Sequence, residues 1–261
     1  MQPLEGQDRF EANGWEFLTE RGPILNSSEQ EQWSRQLQMD KLPGMVFGRN
    51  RLTVHHQSTG FAVQFSADDA LRGVGPPDPS LQIRAAADWE DRIRKSSIPR
   101  LRSSRDWTFS TNYSGTCQGP AIPVEDDDAA EIDLRLCRRT DLPILYFQEL
   151  VLFEDELDDN GVSVMSLRMR VMPSFFLILV RFWLRVDGIA VRSIETRWFH
   201  IFGQGQVIRE QVHKCASSQI VAELPLAVLQ DPEAMQIHLR TNSVRRSRID
   251  IPSIEQSTAS M

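Results

Sequence analysis

Between Phe147 and His200 the chain carries successive stretches with strand patterning, and these restrict it to a fold built on antiparallel sheet. The pattern is cleanest from Ser163 to Val171. Met165, Leu167, Met169 and Val171 point one way, while Ser166, Arg168 and Arg170 point the other. That alternation is the two-residue period of a strand with one wet face. Leu145 to Glu154 is rich in β-branched and aromatic residues and apolar on both sides, which suits a central strand. Asp158-Asp159-Asn160-Gly161 between them reads as a turn, with Gly161 free to take positive φ. Pro173 ends the alternating strand.

Composition leaves Phe175 to Val186 ambiguous, because Arg181 and Arg185 would also share a helix face. The Asp187-Gly188 pair decides for a strand, since it is a strong two-residue hairpin motif between apolar runs. A type I′ turn there sets Val186 opposite Ile189, Arg185 opposite Ala190, Leu184 opposite Val191 and Trp183 opposite Arg192. Val180, Phe182, Leu184, Val186, Ile189 and Val191 then form one apolar side. Arg181, Trp183, Arg185 and Arg192 form the other, with Trp183 and Arg192 placed for a cation–π pair. In this register Ser193 and Glu195 fall on the core side, where they need partners to be buried. The register therefore predicts a bulge or an overhang from Ser193 to Arg197, either a contact surface or a charged edge that discourages aggregation.

Elsewhere, Ser27 or Ser28 can cap a helix to about Lys41, with Glu29 and Glu31 in its first turn. Phe47–His56 and Phe61–Phe65 read as a strand pair, and Ser66 caps a short helix through Leu71 that Gly73 ends. Residues 1–13 and 241–261 are polar and aperiodic and read as flexible tails around a single domain, 14–240. The expected class is α+β, mostly β: antiparallel sheets with a few short helices. The net charge of −7 argues against broad nucleic-acid or anionic-membrane binding. Cys117, Cys137 and Cys215 are scattered without CxxC spacing, which suits a reducing compartment rather than a disulfide scaffold. No signal-peptide pattern opens the chain, and Phe175–Val186 is too short for a bilayer span. The expected location is the cytoplasm, with the nucleus also open to it.

Catalytic chemistry has no anchor. His55, His56, His200, His213 and His238 form neither HxH nor HExxH spacing, and no GxSxG elbow or P-loop occurs. Gly203-Gln204-Gly205 supplies GxG without the third glycine. Glu156-x-Asp158-x-Asn160-Gly161 resembles the start of an EF-hand loop, but the twelfth position is Leu167 instead of a bidentate acid. Glu154, Asp155 and Glu156 have no other mark of a cleft around them. The basic stretch Arg92–Arg105 could contact phosphates, yet without interleaved aromatics it reads as a solvated loop, as does Glu125–Asp128. No catalytic residue, metal site or cofactor is expected.

Several blocks carry a family resemblance: Phe153-Glu154-Asp155-Glu156-Leu157, Asp159-Asn160-Gly161-Val162-Ser163, Arg170-Val171-Met172-Pro173-Ser174 and Leu179 to Gly188. Gly22–Ser27, Leu42-Pro43, Met45–Gly48, Asp69-Ala70-Leu71 and Trp107-Thr108 agree in order. Over about Gly14 to Val212 the chain resembles the TIPRL family, the TIP-forty-one-like or TOR signalling pathway regulator-like proteins. The resemblance implies a non-enzymatic regulator that binds catalytic subunits of type 2A, type 4 and type 6 protein phosphatases and acts in TOR signalling. It also implies a phosphatase partner shared with the alpha-four family of regulators. Carried over block by block, the partner-binding residues would be Asp69, Ile132, Arg192, Ser193 and Glu195. Ser193 stands where a longer side chain is common, and Glu195 keeps the acidic character. On this reading Glu195→Arg weakens partner binding and leaves the melting temperature nearly unchanged. The alternative is a β-rich ligand-binding domain or enzyme whose pocket is assembled from distant residues.

Overall fold

The computed structural model describes residues 6–78, 81, 105–119 and 124–251. Two antiparallel sheets face each other across the main core. The smaller sheet runs β1 (Gly6–Ala12), β2 (Trp15–Arg21), β4 (Arg51–His56), β5 (Ala62–Ser66), β6 (Thr116–Gln118). The larger has the order β3 (Met45–Val46), β8 (Tyr146–Asp155), β9 (Gly161–Val171), β10 (Phe175–Val186), β11 (Ala190–Ile201), β12 (Gln206–Ala216), β13 (Arg240–Asp250), β7 (Val124–Asp126). Short helices fill the connections: α1 (Ser27–Leu37), α2 (Ala67–Arg72), α3 (Leu134–Cys137), α4 (Ser218–Glu223), α5 (Leu226–Leu229) and α6 (Pro232–Met235). The class is α+β and mostly β, as the strand patterning implies.

Alternation builds the core. Phe176, Ile178, Val180, Phe182, Leu184 and Val186 of β10 and Met165, Leu167, Met169 and Val171 of β9 turn inward. They meet Trp15, Phe17, Leu52, Val54 and Phe65 of the smaller sheet. Fully burying each such side chain contributes about 1.5–3 kcal/mol. Trp15 sits edge-on to Phe176 at 5.0 Å and also touches His56 and His200, at 4.7 and 4.8 Å.

Those histidines make stability pH-dependent. Burial holds both below the ordinary histidine pKa; His55 adds to the effect at His56, and the Gln206 carbonyl opposes it at His200. The unfolded chain therefore binds more protons in acid. The stabilisation is complete above the unfolded histidine value, about 6.5, and is lost as pH falls below it. Thermal unfolding followed from pH 8 to pH 5 should show a flat plateau and then a falling midpoint, and His56→Leu should shrink the fall.

The structure departs from the sequence reading in four places. Asn26, not Ser27 or Ser28, caps α1 in a reciprocal capping box with Glu29, and the helix stops at Leu37 because Gln38 turns left-handed. Both segments expected as tails contain a strand among their described residues: Gly6–Ala12 pairs along all of β2, and Arg240–Asp250 lies between β12 and β7. β8 is one strand from the sheet edge, flanked outside only by the two residues of β3, so Leu145 and Phe147 are exposed.

The fourth departure matters most. The β10–β11 loop has three residues, so Val186 faces Ala190, Leu184 faces Arg192, Trp183 faces Ser193 and Arg181 faces Glu195. Positive φ occurs at Gly188 but not at Asp187, so the type I′ turn does not form. The Asp187 N–H is held instead by the Asn160 carbonyl of the neighbouring turn, at 2.8 Å. A shift of one residue exchanges the two faces of a strand. Val191, Ser193 and Glu195 therefore leave the main core side, and no overhang exists: β11 pairs with β10 and β12 through this region. Trp183 and Arg192 lie on opposite faces and make no cation–π pair.

Candidate partner-binding surface

The outer face of the larger sheet has three zones. At the hairpin end Trp183, Val191 and Ala216 are covered by Val221, Leu229 and Met235 from α4, α5 and α6. At the other end Met172, Phe175 and Phe199 lie under Ile132 and Cys137. Between these apolar clusters a belt of charge crosses six strands. Arg168 donates to Glu149 at 2.7 Å, and Arg181 meets Glu195 at 3.0 Å. Arg197 bridges Glu195 at 2.9 Å and Glu210 at 2.8 Å, and Arg246 reaches Glu210 at 2.9 Å.

Glu195 is only 2% exposed. A carboxylate is tolerated there because its oxygens face Arg181, Arg197 and the Gln236 amide, with Lys214 at 3.6 Å. Residues after β12 complete the arrangement. Glu233 on α6 is shared by Arg181 at 2.8 Å and Arg168 at 3.6 Å, and Lys214 donates to Gln236 at 2.7 Å. Beside Arg168 and Arg181 lies a shallow hollow walled by Val164, Ser166, Leu179, Trp183 and Pro232.

The residues singled out by sequence do not form one patch. Arg192 points to the inner face and reaches Asp78 at 2.5 Å, whereas Ser193 and Glu195 are buried on the outer face. The Arg192–Glu195 segment is thus split across a central strand, and its acid is no exposed contact. Asp69 is better placed. Its Oδ2 accepts from Ser66 Oγ at 3.0 Å and Thr116 Oγ1 at 2.9 Å, which fixes the half-buried carboxylate at the start of α2. The adjacent Tyr113 hydroxyl donates to the Gln64 carbonyl, and burial pushes its pKa up to about 12.

Ile132 is 7% exposed, but its surroundings are open. Leu134, Ile144, Leu145 and Phe147 are each exposed around α3 and the start of β8. Arg170, opposite Phe147, ties the two together by donating to the Cys137 carbonyl at 2.5 Å. Among the described residues no three His, Cys, Asp or Glu side chains are grouped to hold a metal ion. Arg92–Arg102 lie outside the described residues; Arg105 donates to the carbonyls of Arg72 and Val74. Among the described residues no helix is long and apolar enough to cross a membrane.

The TIP41-like family matches this chain over residues 45–222, which spans β3 to α4 and so all of the larger sheet but β13, together with β4, β5 and β6 of the smaller one. The chain belongs to the TIP41-like family. A TIP41-like protein of Arabidopsis thaliana is 35% identical over 95% of this chain and 93% of its own length. The Homo sapiens TIP41-like protein is 33% identical, covering 86% of this chain and 83% of the relative. A Saccharomyces cerevisiae relative named type 2A phosphatase activator TIP41 is 31% identical over 89% of this chain and 70% of itself. For a TIP41-like chain, the charged belt is the feature that sequence reading missed. Glu210, Glu233, Gln236 and Arg246 follow or border the region where motif matching fades, and only the β11–β12–β13 pairing brings them to Glu195.

Proposed function

We propose that this protein is a non-enzymatic regulator that binds the catalytic subunit of type 2A-like Ser/Thr protein phosphatases. The observation that carries the reading is the match along nearly the whole chain to a relative named as a type 2A phosphatase activator. The proposal extends to the type 4 and type 6 catalytic subunits, to a partner shared with alpha-four regulators and to a place in TOR signalling. Mechanistically the protein acts by occupancy. A rigid two-sheet scaffold presents preset groups to the phosphatase and alters access to its substrate or to competing subunits.

Within this reading the five residues have different roles. The Asp69 carboxylate, already oriented by two hydroxyl donors, makes a charge-assisted contact. Ile132 and the exposed apolar residues beside it supply a hydrophobic one, and Arg192 with Asp78 borders the segment that leaves α2. Ser193 and Glu195 act from beneath, by holding the outer face in shape.

The test is direct association of the purified chain with recombinant type 2A, type 4 and type 6 catalytic subunits, measured by co-elution and calorimetry. No association with any of the three overturns the proposal. Asp69→Asn removes a charge and keeps the shape. It should weaken binding roughly tenfold, the scale of one charge-assisted hydrogen bond, with little change in melting temperature.

A further inference from the structure

We propose that the Arg168 and Arg181 guanidinium pair on the wall of the hollow is an exchangeable site for an acidic side chain, held within the chain by Glu233 and in a complex by an acidic residue of a partner protein. Arg181 is the fixed half of the site. Its Nε and Nη2 both bind Glu195, at 3.1 and 3.0 Å, and its side chain is 13% exposed. That leaves Nη1 directed at Glu233. Arg168 is the outer half, with Nε on Glu149 and Nη1 turned toward the same Glu233 carboxylate. The two guanidinium groups thus converge on one oxygen, Glu233 Oε1, and each is oriented by another acid before any ligand arrives.

Glu233 is the replaceable member. Its side chain is 61% exposed, and it sits in a four-residue helix. Solvent-exposed ion pairs hold weakly, so an incoming carboxylate that makes the same bonds displaces it at small cost. The walls specify the rest of the ligand. Val164, Leu179 and Pro232, with the buried Trp183 behind them, offer apolar contact that a carboxylate flanked by aliphatic residues can use and a free inorganic anion cannot. Charge favours the exchange as well. The belt residues Arg168, Arg181, Arg197, Lys214 and Arg246 outnumber Glu149, Glu195, Glu210 and Glu233 by one, a local cationic surplus on a chain of net charge −7.

The inference deepens the partner-binding reading but needs no phosphatase for its test, so the two can fail separately. The full chain is titrated by NMR with a blocked Ala-Leu-Glu-Leu-Ala peptide, its Gln analogue and inorganic phosphate. The Glu peptide should shift the Trp183 indole and Arg181 Nε resonances. E233Q, which removes the internal competitor, should bind it about two- to five-fold more tightly. R168Q, an exposed change that leaves the fold intact, should bind it more weakly, and the Gln peptide should leave both resonances in place. Unchanged affinity in E233Q overturns the proposal. So does equal binding of the Gln peptide, and so does saturation by phosphate at the same concentrations as the peptide.

Discussion

Glu195→Arg is expected to lower the stability of the protein by about 3–5 kcal/mol, the usual effect of breaking a buried ion pair from one side. The substitution does more than delete an acid. It places a fourth cation among Arg181, Arg197 and Lys214, in a position that is 2% exposed. With a total stability of roughly 5–15 kcal/mol for a domain, such a loss leaves a large unfolded fraction on warming. Urea denaturation followed by circular dichroism measures it, with Glu149→Arg as the control. Glu149 is half exposed and holds one outer partner, so its reversal should cost less than about 1 kcal/mol. If the Glu195 variant unfolds at the wild-type midpoint, the carboxylate is not buried and the belt is drawn wrongly. Loss of partner binding in this variant would say nothing about a direct contact.

The second large effect is expected at Gly161, the first residue of β9. A Cβ built there would lie 1.9 Å from the carbonyl oxygen of Arg185, which is main chain and has nowhere to go. The residue also has a φ of 146°, a region other residues avoid. Gly161→Ala therefore forces β9 and β10 apart where they begin to pair. A loss of roughly 3 kcal/mol or more is expected, at the upper end of ordinary point substitutions. The turn before it has little slack, since Leu157, Asp158 and Asp159 all carry positive φ, at 53°, 52° and 65°. Gly188 is the matched control. Its φ is also positive but nothing lies within 4 Å of its added Cβ, so Gly188→Ala should cost only the backbone term, about 1 kcal/mol. Thermal melts of the two variants separate the cases, and equal midpoints would rule out the clash.

Legibility followed the range of the interactions involved. β9 and β10 could be read from sequence because their alternation is local, and Met165, Leu167, Met169 and Val171 are buried as the period requires. The same holds for α2, where Ser66 caps and Gly73 ends the helix. The hairpin register was not legible, because it depends on the Asn160 carbonyl, which sequence alone does not bring to Asp187. That one-residue error moved Val191 and Glu195 to the wrong face and turned a buried acid into an apparent contact. β1 and β13 failed for a related reason. Each has mostly exposed, polar residues, and the partner strand holds it rather than its own apolar content. The family could be read from contiguous blocks, whereas the belt is drawn from seven segments far apart in the chain and has no local signature.

The order of charges along the belt also bears on how the sheet finds its pairing during folding. Sliding β11 past β10 by two residues would keep every side chain on its own face of the sheet, so the inside–outside pattern alone barely opposes it. Such a slip would set Arg181 against Arg197 in one direction and leave it beside Ser193 in the other, in both cases taking it away from Glu195. A comparable slip of β12 would place Glu210 across from Glu195 or Phe199. The opposed charges facing each other across β10, β11, β12 and β13 thus act as an alignment code, penalising the misregistered sheets that hydrophobic patterning would accept.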